Sequence, residues 1–159
     1  THTTVCFCPT TERDLADGIG PARSFRDAGS PLSLGSDQHA VIDLFEEARA
    51  LEMHERLHWR QRGRFRLDEL LSAATRHESL GWDGAGRLEV GARADLVAVR
   101  LDSRRTAGSA PQQIILSATG ADVDTVIVDG RTVVAGGEHV LGHVGTLLRK
   151  AIEPLWENS

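Results

Sequence analysis

The residues best placed to do chemistry in this sequence are Ser36-Asp37-Gln38-His39, which come directly after the short apolar run Pro31-Leu-Ser-Leu-Gly35. A carboxylate and an imidazole at the end of a strand can bind a metal, move a proton or cap the next helix, and the tetrapeptide alone leaves these uses open. Thr10, Thr11 and Glu12 come after an earlier strand-like run and read equally as pocket-lining or turn-forming residues. Cys6 and Cys8 are two apart in that run, so their side chains share a face. Neighbours on one strand make a poor disulfide, and even with His2 three soft ligands on one strand cannot close a tetrahedral metal site. Ordinary strand packing is the reading for both cysteines. His54 and His58 have the i, i+4 spacing that binds zinc on a helix but lack the Glu of a His-Glu-x-x-His arrangement, and they read as a solvated pair on a charged surface helix. The cluster Arg60, Arg62, Arg64 and Arg66 can bind phosphate or carboxylate in principle and reads as a solvated connector.

The elements that must position these groups emerge from the pattern. Residues 3–8 have the β-branched and apolar character of a buried strand, which Pro9 stops, with a loop after it. Ala22, Phe25 and Ala28 have helical spacing, with Pro21 suited to the first turn and Gly29 to the cap. Residues 31–35 form a second strand, and Ile42, Phe45, Ala48 and Leu51 mark a helix running from Asp43 to Trp59. Strand, helix, strand and polar tip is the rhythm of a parallel α/β unit, where chemistry gathers at the C-terminal ends of the strands. Leu67 to Leu80 reads as a further helix with Leu70, Leu71, Ala74 and Leu80 inward, closed by Gly81.

Beyond Gly81 glycines punctuate β-rich runs: 96–101, 113–116 and 123–128 are the expected strands, and Asp129-Gly130 is a type I′ hairpin signal before Thr132-Val-Val134. Residues 82–138 therefore read as a small antiparallel module. Val140, Val144, Leu147, Leu148, Ala151, Ile152 and Leu155 then define a terminal helix expected to pack one face on the body, with its last turn frayed by Pro154.

Composition narrows the function classes. Eighteen Lys and Arg against 23 Asp and Glu give a formal net charge of −5, without a basic stripe interleaved with aromatics, which argues against nucleic acid as a partner. No apolar run approaches the roughly 20 residues that span a bilayer, and the N-terminus has none of the regions of a signal peptide, so the cytoplasm is the expected compartment and no membrane partner is expected. The sequence starts Thr-His-Thr-Thr and its one Met is Met53, so a piece of a longer chain is expected.

Three separated strings occur in a telling order: Cys8-Pro-Thr-Thr-Glu through Asp17-Gly18 and Gly20-Pro21; Leu34-Gly-Ser-Asp-Gln-His39; and Gly86-Arg-Leu-Glu-Val-Gly-Ala-Arg-Ala-Asp-Leu-Val97 with Val126-Ile-Val-Asp-Gly-Arg-Thr-Val-Val134. Together they resemble the amidohydrolase superfamily over all but the final helix. Within it, Cys-Pro-Thr-Thr-Glu and then Gly-Ser-Asp-Gln-His-Ala-Val-Ile-Asp are most similar to the formimidoylglutamate deiminase branch.

The resemblance implies an α/β chain: the last two strands and helices of a metal-dependent (β/α)8 barrel over 1–81, a segment of a small β-sandwich over 82–138 and a C-terminal helix over 139–159. It implies zinc or another divalent ion, which lowers the pKa of a bound water from near 16 to roughly 7. It implies that Asp37 is a metal ligand and the group that takes the water's proton and hands it to the departing nitrogen, converting N-formimidoyl-L-glutamate to N-formyl-L-glutamate and ammonia. Thr10, Thr11, Glu12 and His39 are the substrate-pocket candidates. The family's His-x-His pair is absent and Asp37 alone cannot hold zinc, so the other ligands are expected upstream, and the chain by itself is expected to be inactive. The expected partners are a small-molecule substrate, the N-terminal part of the same enzyme and a second copy in a homodimer. Another amidohydrolase, such as a purine or pterin aminohydrolase or a chlorohydrolase, and a noncatalytic β-rich interaction module are the alternatives.

Overall fold

The computed structural model describes residues 3–38 and 41–156. It is a mixed α/β structure with a two-stranded parallel sheet and a four-stranded antiparallel one. Strand β1 (Val5–Phe7) lies parallel to β2 (Leu32–Leu34), with Cys6 opposite Ser33 and Phe7 opposite Leu34. Between them run α1 (Pro9–Asp14) and α2 (Ala22–Asp27). Pro9 does more than end the strand. It opens α1, because a first-turn residue has no intrahelical use for the N–H that proline lacks.

Helix α3 (Leu44–Trp59) is capped by Asp43, whose Oδ1 accepts the N–H of Phe45 at 2.9 Å. Helix α4 (Leu67–Thr75) continues into a 3-10 turn at His77–Leu80, which Gly81 closes at φ 85°. Leu70 and Ala73 face inward, whereas Leu71 and Leu80 are exposed. Gly86 comes so close to the Thr75 carbonyl that any Cβ there would collide with it, which fixes where the chain leaves α4. Phe7, Ala22, Leu32, Ala48, Leu51, Phe65, Leu70, Ala73 and Ile115 form the core, on the side of the parallel sheet that carries Phe7 and Leu32. Cys6, whose side chain alternates to the opposite side, is exposed.

Strands β3 (Leu96–Val99), β4 (Val123–Val128), β5 (Arg131–Ala135) and β6 (Glu138–His139) pair antiparallel in that order. Asp129 and Gly130, at φ 49° and 75°, make the expected tight turn. The expected strand at 113–116 is instead helical: a 3-10 turn at Pro111–Gln113 leads into α5 (Ile114–Ser117). Pro111 opens the turn, the Gln113 side chain accepts the Ala110 N–H at 3.0 Å, and Ile115 is buried in the core, so packing overrides the β preference of the two isoleucines. Arg49 on α3 secures this joint by donating to the carbonyls of Leu116 and Ala118 at 2.9 and 2.6 Å.

Two further expectations are corrected. Helix α3 is not a charged surface helix, since Glu47, Glu52 and Glu55 are all buried. Helix α6 (Val144–Trp156), expected to pack one face on the body, has no buried residue among the described ones, and it runs through Pro154 without ending there.

Candidate functional site

Both parallel strands end on the same side, and the segment after β1 is tied to the segment after β2. After β1 the Cys8 N–H donates to Glu12 Oε1 at 2.9 Å, so Glu12 folds back over the start of α1 and satisfies a donor that the helix leaves free. Thr10 and Thr11 are each only 2% exposed. Thr10 donates its N–H to Glu47 Oε2 at 2.9 Å and its hydroxyl to Oε1 of the same carboxylate. Thr11 donates its hydroxyl to the Ser36 carbonyl at 3.0 Å, across to the segment after β2.

That segment carries Asp37, which is exposed and held at φ 46°. The left-handed region is one that aspartate tolerates better than most residues. Gln38 reaches back to α1 and donates to Asp14 Oδ2 at 2.7 Å. Gly35 lets the tail of β2 lie against the cysteines: a Cβ there would sit 3.3 Å from Cys8 Sγ and 3.5 Å from Cys6 Sγ. Burial pushes the Cys8 thiol up to about 12, and Cys6, Asp37 and Glu47 add to the shift. At neutral pH Cys8 is therefore a packed thiol and no nucleophile. Burial likewise raises the Glu47 carboxyl above the ordinary glutamate range, against the hydrogen bonds from Thr10.

The geometry thus brings Asp37, Thr11 and Cys8 to one place, with Thr10 and Glu12 committed to holding the first turn of α1. The hydroxyls of Thr10 and Thr11 both donate internally, to Glu47 and to the Ser36 carbonyl. His39 and His2 lie outside the described residues. His54 is partly buried and its pKa is lowered by that burial, while His58 is exposed with its ring edge-on to Trp59 at 5.0 Å. Among the described residues no three His, Cys, Asp or Glu side chains are grouped to hold a metal ion. Asp37 fits a divalent ion as a single oxygen donor that is free to face solvent, and a complete ligand set needs further donors.

The residue missed in the sequence is Glu47. In the string Leu44-Phe-Glu-Glu-Ala48 it looks like surface charge, and only the fold shows that it points inward to Thr10. A cavity of about 260 Å³ lies at the other end of β2, lined by Arg26, Pro31, Leu32, Phe65, Glu69 and Arg76. It is remote from the strand ends where loops can gather reacting groups.

Comparison with known proteins places this geometry. The amidohydrolase family model matches residues 1–133. The formimidoylglutamate deiminase of Pseudomonas aeruginosa is 36% identical over 145 residues, covering 84% of this chain and 32% of that protein. A 5-methylthioadenosine/S-adenosylhomocysteine deaminase of Natronomonas pharaonis is 32% identical over 154 residues, covering 92% of this chain and 36% of that one. Among solved structures, a zinc-bound adenosine deaminase from Xanthomonas campestris matches at TM-score 0.85 and 25% identity, over 94% of this chain and 36% of its own. Zinc-complexed atrazine chlorohydrolase from Arthrobacter aurescens matches at TM-score 0.74 and 25% identity, over 92% of this chain and 34% of its own. The chain spans about a third of the length of the relatives it matches.

Proposed function

This chain belongs to the amidohydrolase family, and from that premise we propose that it is the distal part of a metal-dependent hydrolase that deiminates N-formimidoyl-L-glutamate. In this reading residues 1–81 supply the last two strands and helices of a (β/α)8 barrel, 82–138 a segment of a small β-sandwich and 139–159 a terminal helix. The observation that carries the reading is the exposed carboxylate of Asp37 at the C-terminal end of a parallel strand, tethered to the neighbouring strand's loop by Thr11. Parallel strands are normally covered on both faces and along their edges. The open face bearing Cys6 is assigned to the rest of the same chain; a second copy, giving a homodimer, is the other occupant. A cytoplasmic setting belongs to the same proposal.

A bound divalent ion, zinc in the adenosine deaminase and chlorohydrolase structures, supplies Lewis-acid activation of water at neutral pH. Asp37 would hold one of its coordination positions, with the remaining ligands upstream. The Asp37 carboxylate accepts a proton from the attacking water and delivers it to the departing nitrogen, so that water and N-formimidoyl-L-glutamate give N-formyl-L-glutamate and ammonia. His39, two residues on, is the candidate to orient this loop, and Thr10, Thr11 and Glu12 shape the turn beside it.

In the enzyme that contains this chain, Asp37→Asn is expected to lower ammonia release from N-formimidoyl-L-glutamate by about 10²–10⁴-fold while the protein stays folded. Full activity in that variant would end the assignment. A second reading, hydrolytic deamination of a purine nucleoside or base, is favoured by the similarity to 5-methylthioadenosine/S-adenosylhomocysteine and 8-oxoguanine deaminases at 32% and 34% identity. Ammonia release from adenosine derivatives but not from the linear amidine would select it.

A further inference from the structure

We infer that Glu47 is a positioning residue for Asp37, acting through Thr10, Thr11 and Ser36; the inference rests on the catalytic reading of Asp37. Glu47 lies in the first turn of α3 and is fully buried, and the donors that meet its carboxylate are the N–H and hydroxyl of Thr10. Burying a carboxylate against neutral donors is costly, and the free N–H groups of a short helix are equally well met by water. The adjoining Cys8 N–H already has Glu12. What Glu47 adds is a fixed link from a long helix to the first turn of α1.

From that turn the link passes on. Thr11 comes directly after Thr10 and donates its hydroxyl to the Ser36 carbonyl at 3.0 Å. The Ser36 carbonyl belongs to the peptide that leads into Asp37, whose φ of 46° is a conformation that surroundings must hold in a residue other than glycine. Helix α3 therefore sets the position of the carboxylate through the first turn of α1 and the segment after β2.

The test compares Glu47→Ala, Glu47→Gln, Thr11→Val and Thr11→Ser in the enzyme that contains this chain, by kcat, KM and amide hydrogen exchange at Gly35, whose N–H donates to the Phe7 carbonyl at 3.1 Å just before Ser36. Glu47→Ala and Thr11→Val are expected to lower kcat by about ten- to a hundredfold with KM little changed, and to speed exchange at that amide. Thr11→Ser keeps the hydroxyl and is expected to restore both readouts. Glu47→Gln keeps an acceptor for the Thr10 N–H and is expected to fall between Glu47→Ala and the parent enzyme. Wild-type exchange and kcat in Glu47→Ala and Thr11→Val, with a lower melting temperature alone, would overturn the inference, as would Thr11→Ser being as damaging as Thr11→Val. If Glu47→Ala fails to fold, Thr11→Val decides. An inactive parent enzyme would defeat the catalytic reading instead, and the exchange measurement would still report whether Glu47 holds the loop.

Discussion

Helices α3 and α6 invert what their compositions suggest. Helix α3 is dense in charge yet buries Glu47, Glu52 and Glu55, while α6 carries an apolar stripe of Val144, Leu147, Leu148 and Ile152 of which no member is buried. The difference lies in what each helix meets. Every buried carboxylate of α3 receives backbone N–H groups from another segment: Glu47 from Thr10 in the first turn of α1, Glu55 from Arg23 in the first turn of α2 at 2.9 Å, and Glu52 from Gly63, Arg64 and Phe65 in the loop before α4 at 3.0, 3.2 and 2.7 Å. Two helix starts and one loop thus converge on one helix, and a carboxylate that replaces water for their donors can stay inside. An apolar stripe needs a facing surface, and none of the described residues buries that of α6.

The strongest challenge to this contrast is Glu52→Ala. It strips the acceptor from three backbone N–H groups and from Arg56 Nε, which is 2.6 Å away. The expected loss is about 3–5 kcal/mol, read as a shift of the urea midpoint. A loss below about 1 kcal/mol would mean that water replaces the carboxylate and that α3 is a surface helix after all.

Asp122 sharpens the comparison from the β-rich region. It is buried, and Arg105 meets it with two nitrogens at 2.8 Å while the Thr119 N–H donates at 2.9 Å. The Arg105 hydrogen bonds hold its carboxyl well below the ordinary carboxylate range. Its stabilising contribution is therefore complete above the ordinary aspartate value and is lost as the pH falls through the lowered one. Asp122→Asn is expected to cost less than Glu52→Ala at pH 7, because Arg105 is still a third exposed, and to flatten the fall in stability between about pH 4 and pH 2. Parallel acid profiles for parent and variant would show that Asp122 has no part in the acid response.

The smallest effect is expected in α6. With Leu148 at 54% exposure, Leu148→Ser should lower the stability of this chain by no more than about 0.5 kcal/mol, read from the urea transition. The same substitution in the longer enzyme then reads whether the stripe is covered there, and a loss above about 2 kcal/mol would place a partner on it.

Much of the framework was legible because it depends on local chemistry. The two short strands around Cys6 and Ser33, the start of α3 near Asp43, the left-handed end at Gly81 and the Asp129-Gly130 turn each stem from residue types a few positions apart. The position of Asp37 after a strand was legible for the same reason, as was its likeness to one family. The helical turn at 114–117 was not, because two isoleucines favour a strand until the burial of Ile115 against α3 and α4 is known.

What the sequence by itself determined, then, is most of the order of strands, helices and turns, with α1 and α5 as the exceptions, and the carboxylate that stands at a strand end. What only the tertiary structure decided is which charges are buried and which apolar residues are not. Glu47 and Glu46 are indistinguishable in the string, yet one meets Thr10 in the interior and the other pairs with Arg49 at its edge. Burial is a property of the partner brought from 37 residues away, and no window along the chain contains it.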